Sequence, residues 1–305
     1  MSVSIRGYHH SSMAGLVRCL GFTCLLLIGV CLSAVAAESP LAITPIPEDA
    51  PEGFERLLAK QVDVFGIMVY ATESTPDKKV LHAANVLAQY LDNDADGQPD
   101  NRAVIEAMRK HRAAVMMCAT EREMQRIDIG RHVPDEVLDK MVLQGLFGEE
   151  TRPGGASRGE FDATLEEVLH LITDAGYGEV YPEVFGREPG TAIAKAMDVA
   201  RGGHFERVPR KYPAGAWYTY YDRTCRYRCQ MSEYFYWGLT SILGAQDYPG
   251  RLDEIDDEWR LNTAAKVKAK DPTLYKLLTD PKYKLPTVLP DGNYRPRSPP
   301  VVRPQ

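Results

Sequence analysis

Val62-Asp-Val-Phe-Gly-Ile-Met-Val-Tyr70 is the stretch whose reading decides the fold class. β-branched and aromatic residues dominate it, side chains that suit a pleated and half-buried surface, so it reads as a strand. Beyond it the period changes. Pro76 opens a segment in which Val80, Leu81, Ala84, Leu87 and Leu91 recur at helical spacing. A second helix is expected over 103–112, leading into the strand-like Ala113-Ala-Val-Met-Met-Cys118. Met141-Val-Leu-Gln-Gly-Leu-Phe147 is another strand candidate, followed by the loop Thr151-Arg-Pro-Gly-Gly155 and a helix over 162–174. Later helices are expected at 190–201, 230–244 and 262–279. Helices outnumber strands and do not alternate regularly with them. That pattern predicts an α+β fold, helix-rich with a small sheet, rather than a doubly wound one.

The two ends of the chain read differently from its middle. Residues 1–37 hold no Asp or Glu, and Arg6 and Arg18 precede an apolar run from Cys19 that closes on Ser33-Ala34-Val35-Ala36-Ala37. A basic start, a Leu-rich centre and a small-residue exit make a signal peptide, with cleavage after Ala36 or Ala37. The competing reading is an uncleaved anchor, because the run of 19 residues is close to the shortest that spans a bilayer. The expected location is secreted or periplasmic. Residues 38–51 carry Pro40, Pro45, Pro47 and Pro51 and read as an extended linker. Residues 52–285 are expected to form a single globular domain. Residues 286–305, with six prolines, read as a Pro-rich tail whose last dozen residues are disordered. No later segment is apolar enough to suggest a membrane span.

Loss of residues 1–37 removes only Arg6 and Arg18 from the 36 basic residues and none of the 42 acidic ones, leaving a charge of −8. That balance argues against nucleic acid or an anionic membrane as the main partner. Of six cysteines, Cys118, Cys225 and Cys229 remain. In an oxidising compartment they predict one disulfide and one odd thiol, with Cys225 and Cys229 nearest in sequence and Cys118 an open alternative.

Two segments carry the chemistry. Asp92-Asn-Asp-Ala-Asp-Gly-Gln-Pro-Asp100 lies between two expected helices and places carboxylates of Asp92, Asp94, Asp96 and Asp100 at loop positions 1, 3, 5 and 9, with Gly97 at position 6. A hard dication wants six or more oxygens, and a tight turn of alternating acids converges them. The loop resembles the calcium loops of EF-hand-like and dockerin-like sites. It departs from them in carrying Ala103 at position 12 and Pro99 at position 8; Glu106, one helical turn on, is the residue available to substitute. The resemblance implies calcium as a structural cofactor. The plainer alternative is a solvated loop rich in Asp because Asp caps helices and forms turns.

The second segment is Thr164-Leu-Glu-Glu-Val-Leu-His-Leu-Ile172. On a helix Glu166 and His170, four apart, share a face, and Glu167 borders it. The segment resembles the zincin motif His-Glu-x-x-His, with Glu166 in place of the first histidine. By that resemblance Glu167 takes the general-base position and His170 that of the second ligand. In gluzincins a later helix supplies a third ligand, a Glu, and Glu233, 63 residues after His170, is the candidate. The resemblance spans about residues 140–245. It implies zinc or another divalent transition metal on Glu166, His170 and Glu233, in a site harder and more anionic than two histidines would give. Two other readings compete. Thr164-x-x-Glu167 fits a capping box, and Glu167-x-x-His170 has di-iron spacing but no second such pair.

Between Trp217 and Trp237, nine of 21 residues are aromatic, interleaved with Arg223, Arg226 and Arg228. They suit either a glycan-stacking wall or a dense core segment clamped by a disulfide. Two functions follow from the sequence. One is an exported, zincin-like, peptidase-type hydrolase. The other is a non-catalytic, calcium-stabilised extracellular protein that binds a peptide, a protein or a glycan through its aromatic segment.

Overall fold

The stretch 62–70 forms two strands rather than one. In the computed structural model, β2 (Lys60–Val64) and β3 (Ile67–Ala71) pair antiparallel with Val64 opposite Ile67, so Phe65 and Gly66 alone make the turn. Both have positive φ, 53° and 81°, as a two-residue hairpin loop with the sheet's twist requires. The Asp63 carboxylate accepts from Gly66 N at 2.6 Å, and Arg109 Nε donates to Phe65 O at 2.8 Å. The turn was hidden in the sequence because Phe occupies a left-handed position that usually signals itself with Asn or Asp.

The structure describes residues 40–297, so the signal-peptide reading of residues 1–37 lies outside the described residues. The sheet has five strands in the order β1-β2-β3-β4-β5, with β1 Thr44–Pro45, β4 Ala114–Cys118 and β5 Leu143–Phe147. β1 and β2 are antiparallel, while β3, β4 and β5 run parallel. The residues expected to form only a linker therefore supply an edge strand, Thr44 opposite Gln61. The mixed α+β class expected from the sequence is what the chain adopts.

Strand alternation puts Val62, Val64, Ile67, Val69, Ala71, Val115, Met117 and Leu146 in the main core. Tyr70, Ala114, Met116 and Cys118 pack in a second, smaller cluster with Phe54, Leu58 and Val133. The large face is covered by α1 (Asp77–Leu91), α2 (Arg102–Lys110) and α3 (Thr164–Ile172). Farther along come α4 (Ala192–Arg201) and α5 (Tyr227–Leu243), which pack on one another. The single helix expected over 262–279 is two, α6 (Ala264–Lys270) and α7 (Pro272–Leu278). Pro272 cannot continue a helix, and Asp271 caps the new one by accepting from Leu274 N at 3.1 Å. Among the described residues no helix is long and apolar enough to cross a membrane.

The described residues of the Pro-rich tail, 286–297, lie along α1 and the acidic loop, with Tyr294 only 3% exposed, and the expectation of disorder for 298–305 falls outside the described residues. Asn93 Oδ1 accepts from Thr287 N at 2.7 Å and Val288 N at 2.9 Å, and Gln89 Oε1 accepts from Gly292 N at 2.8 Å. Gly292, at φ 77°, is there because a Cβ would sit 2.1 Å from His82 Nδ1.

Candidate metal centre

The start of α3 is set by Asp162 rather than by Thr164. The Asp162 carboxylate accepts from Thr164 N at 3.2 Å and Arg152 N at 3.0 Å, and meets His82 Nε2 at 2.6 Å. Thr164 itself lies inside the helix with its hydroxyl unpartnered, so the capping box does not form. Glu166 and Glu167 are thereby left to project toward α5 and β5.

α3 packs against β5 on one side and α5 on the other. On α3, Glu166 and His170 lie one turn apart; α5 brings Glu233. One ligand atom from each of these three residues lies within 4.8 Å of the others. The three residues that the sequence named are thus brought together. His170 Nε2 faces Glu233 Oε2 at 3.6 Å, beyond hydrogen-bond reach, and is buried with no hydrogen-bond partner. Glu167 lies on the other edge of the ring, its Oε2 3.8 Å from His170 Nδ1, and accepts from Gln144 Nε2 on β5. Tyr236 meets the imidazole edge-on at 5.9 Å.

The electrostatics of the cluster are those of crowded acids in a dry place. Burial pushes the Glu166 carboxyl well above its usual range, and the charges of Glu233 and Glu167 push it further. Burial also raises Glu233, against the opposing pull of His170. Burial alone would lower the His170 imidazole, but the Glu233 and Glu167 carboxylates overcome it and raise the group to about 10.

Two neighbours were not visible in the sequence reading as site members. Tyr220 donates to Glu233 Oε1 at 3.1 Å. Glu258, half-buried, is raised to about 7 by burial and then by the Glu233 charge. Tyr220 precedes Glu233 by 13 residues and Glu258 lies in a loop beyond α5, and no local spacing announces either. A further tie holds α5 in place. α3 runs on into a π-helical turn, Thr173–Tyr177, whose Asp174 accepts from Ser232 Oγ at 2.7 Å, next to Glu233. π turns of this kind cluster at functional sites.

The acidic loop is ordered differently. Asp92 is 1% exposed and accepts from Asp96 N (3.0 Å), Gly97 N (2.8 Å) and Tyr294 Oη (2.5 Å). Asp92, Asp94 and Asp100 bring one oxygen each within 4.8 Å of one another; Asp96 stands outside that group and accepts from Gln98 N at 2.7 Å. Gly97 takes the left-handed conformation expected of it, φ 89°, and so does Ala95 at 56°.

Cys225 and Cys229 form a disulfide at the entrance to α5, and among the described residues Cys118 is a buried free thiol. Most of the nine aromatics are interior: Tyr218, Tyr227, Tyr234, Phe235, Tyr236 and Trp237 are buried, and Tyr221 alone is exposed. Trp217 Nε1 and the Tyr234 hydroxyl both donate to Asp271. The stretch is therefore mainly core, and the walls it gives are those of the α3–α5 cluster.

No family model matches the chain, and no curated protein or solved structure matches it either.

Proposed function

We propose that the chain is an exported metalloprotein in which Glu166, His170 and Glu233 hold a divalent transition metal, and that it acts as a zincin-like hydrolase of peptidase type. The observation that carries this reading is the buried His170 Nε2, which has no hydrogen bond and faces a buried Glu233 oxygen across 3.6 Å. A buried nitrogen without a hydrogen bond costs free energy, and a cation would ligate it while relieving the repulsion between Glu166 and Glu233. One imidazole and two carboxylates suit zinc, and suit manganese or iron at least as well. A cation held there would supply Lewis-acid polarisation of a substrate carbonyl.

The chain's own residues have distinct parts in this reading. Glu167, which accepts from Gln144, faces the Nδ1 edge of His170 at 3.8 Å, on the side of the ring away from Glu233. This position supports Glu167 as the orienting carboxylate rather than as the base that the motif resemblance assigns to it. Tyr220 holds Glu233 through its hydroxyl. Metal analysis of the purified protein tests the proposal. Near-stoichiometric transition metal is expected, falling at least about tenfold in His170→Ala; unchanged metal content in that variant would refute it. Bound metal without cleavage of any peptide would remove the hydrolase and leave a binding protein.

Calcium in the acidic loop belongs to the same proposal, in a structural role. Its support is the convergence of Asp92, Asp94 and Asp100 at the junction of α1, α2 and residues 286–297. Calcium at 100 times its dissociation constant is expected to stabilise the fold by about 2.7 kcal/mol. No rise in Tm on adding millimolar calcium to chelator-treated protein would refute that role.

A further inference from the structure

The disulfide stands beside the candidate metal centre. Cys225 lies two residues before α5, Cys229 in its first turn and Glu233 one turn farther on, so the three succeed each other at intervals of four residues. Cys225 Sγ, Cys229 Sγ and a Glu233 carboxylate oxygen all lie within 4.8 Å of one another. Glu233 thus belongs to two donor groups at once, one with His170 and Glu166 and one with the two sulfurs. While the sulfurs are bonded to each other neither is free to ligate.

We propose that reduction of Cys225–Cys229 opens a second, thiophilic metal site made of Cys225, Cys229 and Glu233, sharing Glu233 with the site on α3. The step balances simply. A dithiol reductant gives two electrons and two protons, the S–S bond breaks, and the reductant becomes a disulfide. A divalent cation then displaces the two thiol protons. Cys229 sits in the first turn of the helix and Cys225 just before its N-cap, and the approach of the two sulfurs to a Glu233 oxygen places all three donors at the helix start. Its 17 residues also direct a positive end at the pair, which favours anionic sulfur. Arg223, Arg226 and Arg228 add positive charge along the same segment. Thiolates prefer soft and borderline cations, so zinc and cadmium fit this site, whereas the carboxylate-rich group on α3 suits harder ions. Outside the cell the disulfide form is the resting one, and reduction becomes the signal that changes which metal the chain holds.

The test uses cadmium as probe on the full-length protein, before and after reduction, following the thiolate-to-metal charge-transfer absorption in the ultraviolet. The band is expected only in the reduced protein, with one cadmium per chain, and is expected to be lost in Cys225→Ser and in Cys229→Ser and weakened in Glu233→Gln. Reduced protein with both thiols titrating and no band would overturn the proposal. So would loss of helical circular dichroism on reduction, because the site needs α5 intact. His170→Ala separates this inference from the proposed hydrolase centre: it is expected to keep the cadmium band while losing transition metal from the oxidised protein.

Discussion

At His170 three shifts of one sign meet. In the cation-free protein Glu166 and Glu233 are both raised, and His170 is raised from 6.5 to about 10. A group whose folded value is raised contributes stability that is complete below its unfolded value and lost as pH rises through the folded one. For His170 that window runs from 6.5 to about 10. Ligation needs neutral imidazole and ionised carboxylates, so a bound cation must release protons. Affinity at this centre is therefore expected to rise with pH, by about tenfold per unit for each proton displaced. Cobalt titrations at pH 6, 7 and 8 followed by calorimetry in two buffers of different ionisation heat check this. Affinity that is flat across the range, with no buffer-dependent heat, would show that these three groups are not the ligands. The residues of the centre were legible to different degrees. Glu166 and His170 declare themselves by spacing on one helix, and Glu233 by being an acid among buried aromatics. Gln144, Tyr220 and Glu258 do not, because only the packing of β5 and two loops around α3 makes them neighbours.

Elements show where local pattern suffices and where tertiary packing decides. α1, α2, β4 and β5 follow from periodicity, and each lies within a few residues of its expected place. The hairpin did not announce itself, since Phe65 fills a left-handed site more often taken by Asn or Asp. The π turn after α3 was illegible for another reason: nothing in Thr173-Asp-Ala-Gly-Tyr177 distinguishes it from more α-helix. Its cause lies in α2. A Cβ on Gly176 would stand 2.7 Å from Val104 Cγ1 and 3.2 Å from Met108 Cγ, so the turn approaches α2 closely only because Gly is there. Val104 is buried and β-branched, with little freedom to yield. Gly176→Ala would recover up to about 1 kcal/mol of helix propensity. Overpacking is expected to cost about 1–3 kcal/mol and so to prevail. Urea unfolding should show a net loss of about 1 kcal/mol; a gain in stability would mean that the close approach does not constrain the turn.

On the scale of the molecule, the described C-terminal residues close the structure that the Pro-rich composition suggested they would leave. Prolines at 286, 290 and 296 suit an extended run without sheet or helix, and such a run still forms a clamp when its backbone finds side-chain partners. Asn93 and Gln89 provide them from α1 and the loop, and Arg297 N donates to Ala95 O at 2.7 Å. The Tyr294 ring, edge-on to Phe65, brings its hydroxyl to Asp92 Oδ2, so residues far apart in sequence secure the acidic loop and the hairpin together. Deleting residues 286–305 should therefore remove a buried aromatic, a charge-assisted hydrogen bond and the backbone clamp. Loss of a buried aromatic alone costs about 3–5 kcal/mol. At roughly 2–4 °C per kcal/mol for a domain near this size, Tm is expected to fall by about 10 °C. Tyr294→Phe isolates the hydroxyl and should cost about 1.5–3 kcal/mol, the range for a hydrogen bond to a charged acceptor. The same variant frees an Asp92 lone pair that the hydroxyl now occupies. Calcium should then recover more of the lost stability in Tyr294→Phe than it adds to the unaltered chain. Thermal unfolding of the three proteins with and without calcium measures both effects. A truncated chain as stable as the full one would show that the C-terminal segment lies on the fold without supporting it.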